Sequence, residues 1–340
     1  MKKRFTMIAM LMVLAVCMVF AQGGKEQSQE INVYSIMPEK YAAPILAEFT
    51  KDTGIKVNFT RLSSGEALSR LIAEKDNPQV DALWGGPSDT YDAGVKEGVF
   101  AQYTPAEADK IPANYQSPDH YWTGIGIIPL CFMTNTDFLA KEGLEAPTSW
   151  YDYLDPAYVN GLQMADARTS GTATERIYSL IEAFDGDEDK AFEYQKALNK
   201  NVQLYTKGGA GGCLPVAQGQ AAGGIFYLVD ALDTVNQGYP LVVTYPKEGV
   251  TYGVEGSGIV ANCKNPEGAK ALMDWASSKK LGEFMVANKI CYIPTRGDVV
   301  VNDPALDTSA ANFLPCDSVW KGENRARLVQ RFIDEVIQGK

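Results

Sequence analysis

Thr169-Ser170-Gly171-Thr172 stands directly before a segment of helical spacing that runs to Phe184. At such a junction the first-turn N–H groups, the Ser170 and Thr172 hydroxyls and the helix dipole can converge on one negatively charged group. Ser63-Ser64-Gly65-Glu66 opens an earlier helix in the same way. Ser, Thr and Gly are also common helix caps, so either set taken singly reads as a cap before a ligand site, and it is their joint occurrence at strand-to-helix ends that favours function for Thr169 to Thr172. Gly85-Gly86-Pro87-Ser88 follows a strand, where absent side chains bare the amides to a ligand and Ser88 adds a hydroxyl, although Gly-Gly-Pro also suits a turn. Three cations lie near these loops: Arg61, Arg168 and Lys207. Arg168, beside Thr169, best suits bidentate contact with a phosphoryl group. The chemistry this collection can do is anion binding. Catalysis finds no such support, since the single histidine is His120 and no GxSxG, HExxH or GxxxxGK[ST] pattern occurs. His120, among Asp119, Tyr121 and Trp122, reads as a surface or packing histidine. Trp84 and Trp122 could wall a pocket, but aromatics near strand ends usually pack.

The elements that must position these residues alternate short apolar runs with amphipathic segments, the pattern of a mainly parallel sheet flanked by helices. Ile31 to Ile36 is a strand, Pro44 to Lys51 a helix stopped by Gly54, and Ile55 to Thr60 the next strand. Ser64 caps a helix to about Lys75, and Asp81 to Trp84 is a third strand. A second set begins after Asn135, with a strand at Leu162 to Ala165 and helices at Thr172 to Phe184 and Asp189 to Leu198. Two Gly-containing extended stretches, Gly124 to Leu130 and Gly253 to Ala261, suit strands crossing between two α/β lobes. Pro266 to Ser277, Leu281 to Ala287 and Arg325 to Ile337 have helical spacing. The expected organisation is a leader over 1–21, a discontinuous first lobe over 22–125 and 258–340 that includes the C-terminal helices, and a second lobe over 126–257. A cleft between hinged lobes is where a small ligand would sit.

The chain has 340 residues, 46% of them hydrophobic and 21% charged, which suits about two globular domains and excludes intrinsic disorder. Lys2, Lys3 and Arg4 precede an uncharged, mostly apolar stretch from Met7 to Phe20, and Val19-Phe20-Ala21 supplies a cleavage site after Ala21. The stretch is too short to span a bilayer, so an exported, periplasmic protein is expected. Cys17 is an alternative lipid-attachment point, disfavoured because Val16 precedes it. Removing the leader takes away three cations and moves the formal charge from -11 to -14, a sign that repels nucleic acid and anionic membranes. Five cysteines remain, Cys131, Cys213, Cys263, Cys291 and Cys316, an odd number without CxxC or histidine pairing. That spread argues against zinc and leaves at least one thiol unpaired.

Ile31-Asn32-Val33-Tyr34-Ser35, Phe49 to Val57, Asp81 to Gly86, Pro129 to Thr136 and Asn265 to Lys270 together give the chain its resemblance. It resembles a bacterial extracellular solute-binding protein of an ABC importer, from the group holding ferric-ion, 2-aminoethylphosphonate and hexose-phosphate binders. The resemblance implies a type II periplasmic-binding-protein fold whose two lobes close on a ligand. It also implies delivery to a membrane permease driven by an ATPase, with no catalysis and no cofactor. Ferric-ion binders of the group use a His, a Glu and an adjacent Tyr pair; the matching positions here are Pro38, Gly86, Val229 and Asp230, so no metal site is expected. Tyr227 lies nearby and a one-residue gap would return one phenolate. The same correspondence puts Asp230 in the cleft, where it would accept from sugar hydroxyls or pair with an ammonium, or else merely cap a helix. Glu255 and Tyr227 are further candidates. The expected ligand is a small anionic organic solute, phosphorylated or phosphonate, bound by a monomer. A ferric-ion carrier and an exported phosphate-ester hydrolase are the alternatives, the last lacking a metal cluster or a nucleophile with its base.

Overall fold

The computed structural model describes residues 30–315 and 317–339. The leader, its cleavage site, Cys17 and Cys316 lie outside the described residues. In chain order the regular elements begin with β1 (Glu30–Ser35), α1 (Glu39–Thr53), β2 (Lys56–Arg61), α2 (Ser64–Ala73), β3 (Ala82–Pro87), α3 (Ser88–Lys96) and β4 (Phe100–Ala101). They continue with β5 (Thr123–Asn135), α4 (Thr136–Glu142), β6 (Leu162–Ala165), α5 (Gly171–Ala183), α6 (Glu188–Asn199), β7 (Val202–Thr206), α7 (Cys213–Ala217), β8 (Gly223–Tyr227) and α8 (Leu228–Val235). Last come β9 (Leu241–Thr244), β10 (Tyr252–Val260), α9 (Pro266–Ser277), α10 (Lys279–Ala287), β11 (Ile293–Pro294) and α11 (Ser318–Arg331).

The strands run in the order β2-β1-β3-β10-β5-β8-β6-β7. β1 pairs in parallel with β2 and β3 in one lobe, and β6 in parallel with β7 and β8 in the other. The crossing strands are antiparallel. β10 pairs antiparallel with β3 and with β5, whose far half pairs antiparallel with β8. β5 is thus one strand of 13 residues serving both lobes. Its buried run from Leu130 to Asn135 reflects a strand covered on both faces. The two-lobed α/β architecture with two hinge strands therefore holds.

Two helix boundaries differ from the sequence-based expectation. α1 begins at Glu39 rather than Pro44, because Tyr41, Ala42, Ile45, Leu46 and Phe49 form one buried stripe, whose packing outweighs the single hydrogen bond Pro44 removes. α11 begins at Ser318 rather than Arg325, with the Asp317 carboxylate accepting from Trp320 N–H as its cap, and it runs into a π-helical turn at Phe332–Ile337. α11 lies on α3 in the first lobe yet also reaches α5 in the second, and the π turn packs on α6. The end of the chain, expected to belong to the first lobe, touches both.

Candidate functional site

A cavity of about 70 Å³ lies between the lobes, where the C-terminal ends of β1, β2, β3 and β8 feed their helices. One wall is made by helix N-termini. Ser63 and Ser64 open α2 from the first lobe, and Ser170, Gly171 and Thr172 open α5 from the second. Ser170 occupies the N-cap position of α5 without a side-chain capping bond, and neither its hydroxyl nor that of Thr172 bonds another protein group among the described residues. Both hydroxyls thus line the cavity unengaged. Gly171 is required by close approach, since a Cβ there would stand 2.5 Å from Pro87 Cγ and 3.2 Å from Ser64 Oγ.

Glu66 braces the α2 end. Its carboxylate accepts from Ser63 N–H at 3.1 Å and Ser63 O–H at 2.8 Å, and pairs with Lys207 of the other lobe at 2.6 Å. Lys207 chiefly, with the Ser63 bonds, holds the Glu66 carboxyl down at about 2. Behind Ser64 lies a buried pair, Arg325 of α11 with Asp89 of α3. The Arg325 guanidinium also donates to Thr174 Oγ1 at 3.0 Å and approaches Ser64 Oγ at 3.5 Å.

Two buried carboxylates line the same cavity, Asp230 close beside Thr172, since a Cβ on Gly209 would clash with Thr172 Oγ1 and stand 3.6 Å from Asp230 Oδ2. Asp230 sits in the first turn of α8, 7% exposed, with Oδ1 lacking any hydrogen-bond partner. Burial pushes its carboxyl up to about 6, against the pull of Lys40 and Arg61. Glu255 comes from β10, where the pairing register with both β3 and β5 shifts; such a bulge re-aims a side chain. Burial raises Glu255 to about 7, opposed by the Gly86 N–H, Arg61 and the Tyr292 hydroxyl. Ile36, Ile128, Val229 and the ring of Tyr292 supply apolar wall. Tyr227 lines the cavity with its hydroxyl 3.4 Å from the Gly171 carbonyl oxygen, and burial raises its pKa, so it stands as a phenol.

Ser64, Gly86, Ser170, Gly171, Thr172, Tyr227, Asp230 and Glu255 are thus brought to one cavity, while four expected residues fall outside it. Arg168 is corrected first. Asp166, two residues earlier, takes its guanidinium in an ion pair of 2.5 Å and turns it away from the cavity. Thr169 and Gly65 bond each other across the lobes instead, Gly65 N–H donating to the Thr169 carbonyl at 3.2 Å. Ser88 is the first residue of α3 and is buried inside its lobe, because β3 continues through Pro87 before turning. Lys207 is taken by Glu66, whereas Arg61, the last residue of β2, lines the cavity. Ser63, part of the expected Ser63 to Glu66 set, also lines the cavity, while sequence reasoning passed over Tyr292 and the Gly208-Gly209-Ala210 loop after β7. The Gly run was the available signal for the loop, and a strand-end position the signal for Arg61. Trp84 and Trp122 are fully buried packing residues.

Pro38, Gly86, Val229 and Asp230, the four positions matched to metal donors, all line the cavity. Among the described residues no group of three or more His, Cys, Asp or Glu side chains could hold a metal ion. Cys131, Cys213, Cys263 and Cys291 are free thiols.

Residues 34–283 match the family described as bacterial extracellular solute-binding protein. An uncharacterized protein of Haemophilus influenzae is 30% identical over 86% of this chain and 86% of its own length. The Fe(3+)-binding periplasmic protein of Serratia marcescens is 26% identical over 85% of this chain and 86% of its own. The periplasmic binding protein AfuA of Actinobacillus pleuropneumoniae, solved with fructose-6-phosphate bound, superposes with a TM-score of 0.86 at 29% identity, covering 90% of this chain and 98% of that one.

Proposed function

The chain belongs to the bacterial extracellular solute-binding protein family, and within it we propose a carrier that captures a small phosphorylated or phosphonate organic solute between its lobes and delivers it to an ABC permease. The observation that carries this reading is the pair of unengaged hydroxyls, Ser170 and Thr172, on a helix N-terminus that meets a second helix N-terminus from the opposite lobe. Oriented amides and hydroxyls suit a phosphoryl group, which needs several donors and no metal. In a chain of formal charge -11 the grip must be local, and convergent helix ends are local. Asp230 and Glu255 read the rest of the solute. Closure of the first lobe over the second buries it and presents the face that the permease and its ATPase recognise. The protein works without catalysis, as a monomer, in the periplasm after cleavage near Ala21. Attachment through Cys17 is the alternative to free export.

A ferric carrier is the second reading, favoured by the named Serratia relative. It meets Pro38, Gly86 and Val229 where oxygen or nitrogen donors would be needed, and a Tyr227 whose pKa burial raises. Calorimetry with 2-aminoethylphosphonate, hexose 6-phosphates and Fe(III) separates the two. Saturable heat with a phosphoryl compound is expected; saturable iron binding with no phosphoryl response would reject the proposal.

A further inference from the structure

Ser64 Oγ stands where the two helix N-termini meet, 3.2 Å from the position that a Cβ on Gly171 would take. The only side-chain bond of Ser64 among the described residues comes from Arg325, whose Nη2 donates to Oγ at 3.5 Å. A guanidinium carries N–H donors and no acceptor, so this bond occupies a lone pair of the Ser64 oxygen and leaves the hydroxyl proton unspent. Ser64 lines the cavity, and that proton has the cavity to turn to.

Arg325 does not line the cavity itself; it lies one side chain behind, buried, on α11. Its Nη1 is fixed on both lobes at once, paired with Asp89 of α3 and donating to Thr174 Oγ1 of α5 at 3.0 Å. Thr174 in turn donates to the Gly171 carbonyl oxygen at 3.0 Å, the first residue of the helix that faces Ser64. Because the guanidinium is a planar, rigid fork, anchoring Nη1 decides where Nη2 points. Asp89 balances the charge, so what the pair supplies to the site is direction. Resting on the proposed function, we infer that Arg325 is a positioning residue for the solute: it holds Ser64 Oγ as an acceptor and so presents the hydroxyl proton to the anionic group. A rotor set before binding costs less to order when the solute arrives.

Calorimetry on the mature chain with 2-aminoethylphosphonate and fructose 6-phosphate tests this through Ser64→Ala, Arg325→Lys and the two combined. Ser64→Ala should weaken binding about tenfold. Arg325→Lys keeps a cation opposite Asp89 but loses the fork, and should weaken binding about as much. In that background Ser64→Ala should cost less than about twofold more. Thermal unfolding checks that each variant folds; if the lysine variant does not, Arg325→Met combined with Asp89→Asn takes its place with the same expectation. An equal loss from Ser64→Ala with and without Arg325 would show that Arg325 only holds α11 in place, and would overturn the inference. No loss from Ser64→Ala in the otherwise unaltered chain would also overturn it and leave the proposed function standing. Absence of heat with both compounds would overturn both.

Discussion

The Gly65 amide donates to the Thr169 carbonyl oxygen at 3.2 Å, so the two loops flanking the helix-end cradle are bonded to each other across the lobes. A Cβ on residue 65 would stand 2.7 Å from the Arg168 carbonyl oxygen and 3.1 Å from Thr169 Cα, which are backbone atoms that cannot swing aside. Within α2, alanine is the better helix former by about 1 kcal/mol. Gly65→Ala should therefore keep or raise the melting temperature while weakening ligand binding about tenfold. Small-angle scattering with ligand should show the lobes held apart. Unchanged affinity would remove this contact from the closure.

The hydroxyls of Ser170 and Thr172 do no structural bonding, so removing them should cost binding and little else. Ser170→Ala and Thr172→Val are each expected to weaken a phosphoryl ligand about tenfold, the worth of one hydrogen bond to a charged group. Calorimetry reads the loss. Differential scanning fluorimetry should show the ligand-free melting point nearly unmoved.

Glu255 makes the ligand-free protein sensitive to pH. Its carboxyl titrates at about 7 when folded against an ordinary 4.5, so between those values the folded state holds a proton that the unfolded chain has released. The stability it contributes is full below about 4.5 and is lost as pH rises through 7. Asp230, raised to about 6, acts in the same direction. Chemical denaturation at several pH values should show stability falling with rising pH, and Glu255→Gln should remove on the order of 3 kcal/mol of that fall. A Gln variant with the parent's slope would contradict the burial of a neutral acid.

Arg325 and Asp89 are both buried and paired, so removing one partner strands the other. Arg325→Met should destabilise by roughly 3–5 kcal/mol in urea unfolding. Adding Asp89→Asn should recover part of the loss, because the uncompensated charge is gone. No recovery would mean that Arg325 matters through its bond to Thr174 instead.

The rim pairs Lys207–Glu66 and Lys40–Asp233 join the lobes at partly exposed positions. Such pairs are worth about 0–1 kcal/mol and are screened by salt. Lys207→Ala should cost less than about fivefold in affinity, and the cost should shrink as salt is raised.

Much of this site was legible because strand-to-helix junctions in an α/β sheet point at one crevice. That rule located Ser64, Gly86 and Ser170 to Thr172, the family resemblance located Asp230, and the hinge strands followed from Gly-rich apolar runs at Gly124 and Gly253. Side-chain direction was not legible. Arg168 and Arg61 are both near the cavity in sequence terms, yet a local Asp166 claims one and a strand end delivers the other. Tyr292 arrives from far along the chain through the packing of β11 against β5, which no local pattern encodes. The Glu255 register shift is likewise a property of two neighbouring strands rather than of its own residues.

α11 holds Glu175 of one lobe through Lys321 and Asp89 of the other through Arg325, deep at the back of the crevice. Points near a pivot travel least, so a swing that parts Lys40 from Asp233 at the rim can leave these anchors in place. On the proposed closing motion the molecule would keep its alignment while gaping, and each cycle of loading and release would return to one registered jaw position without searching for it.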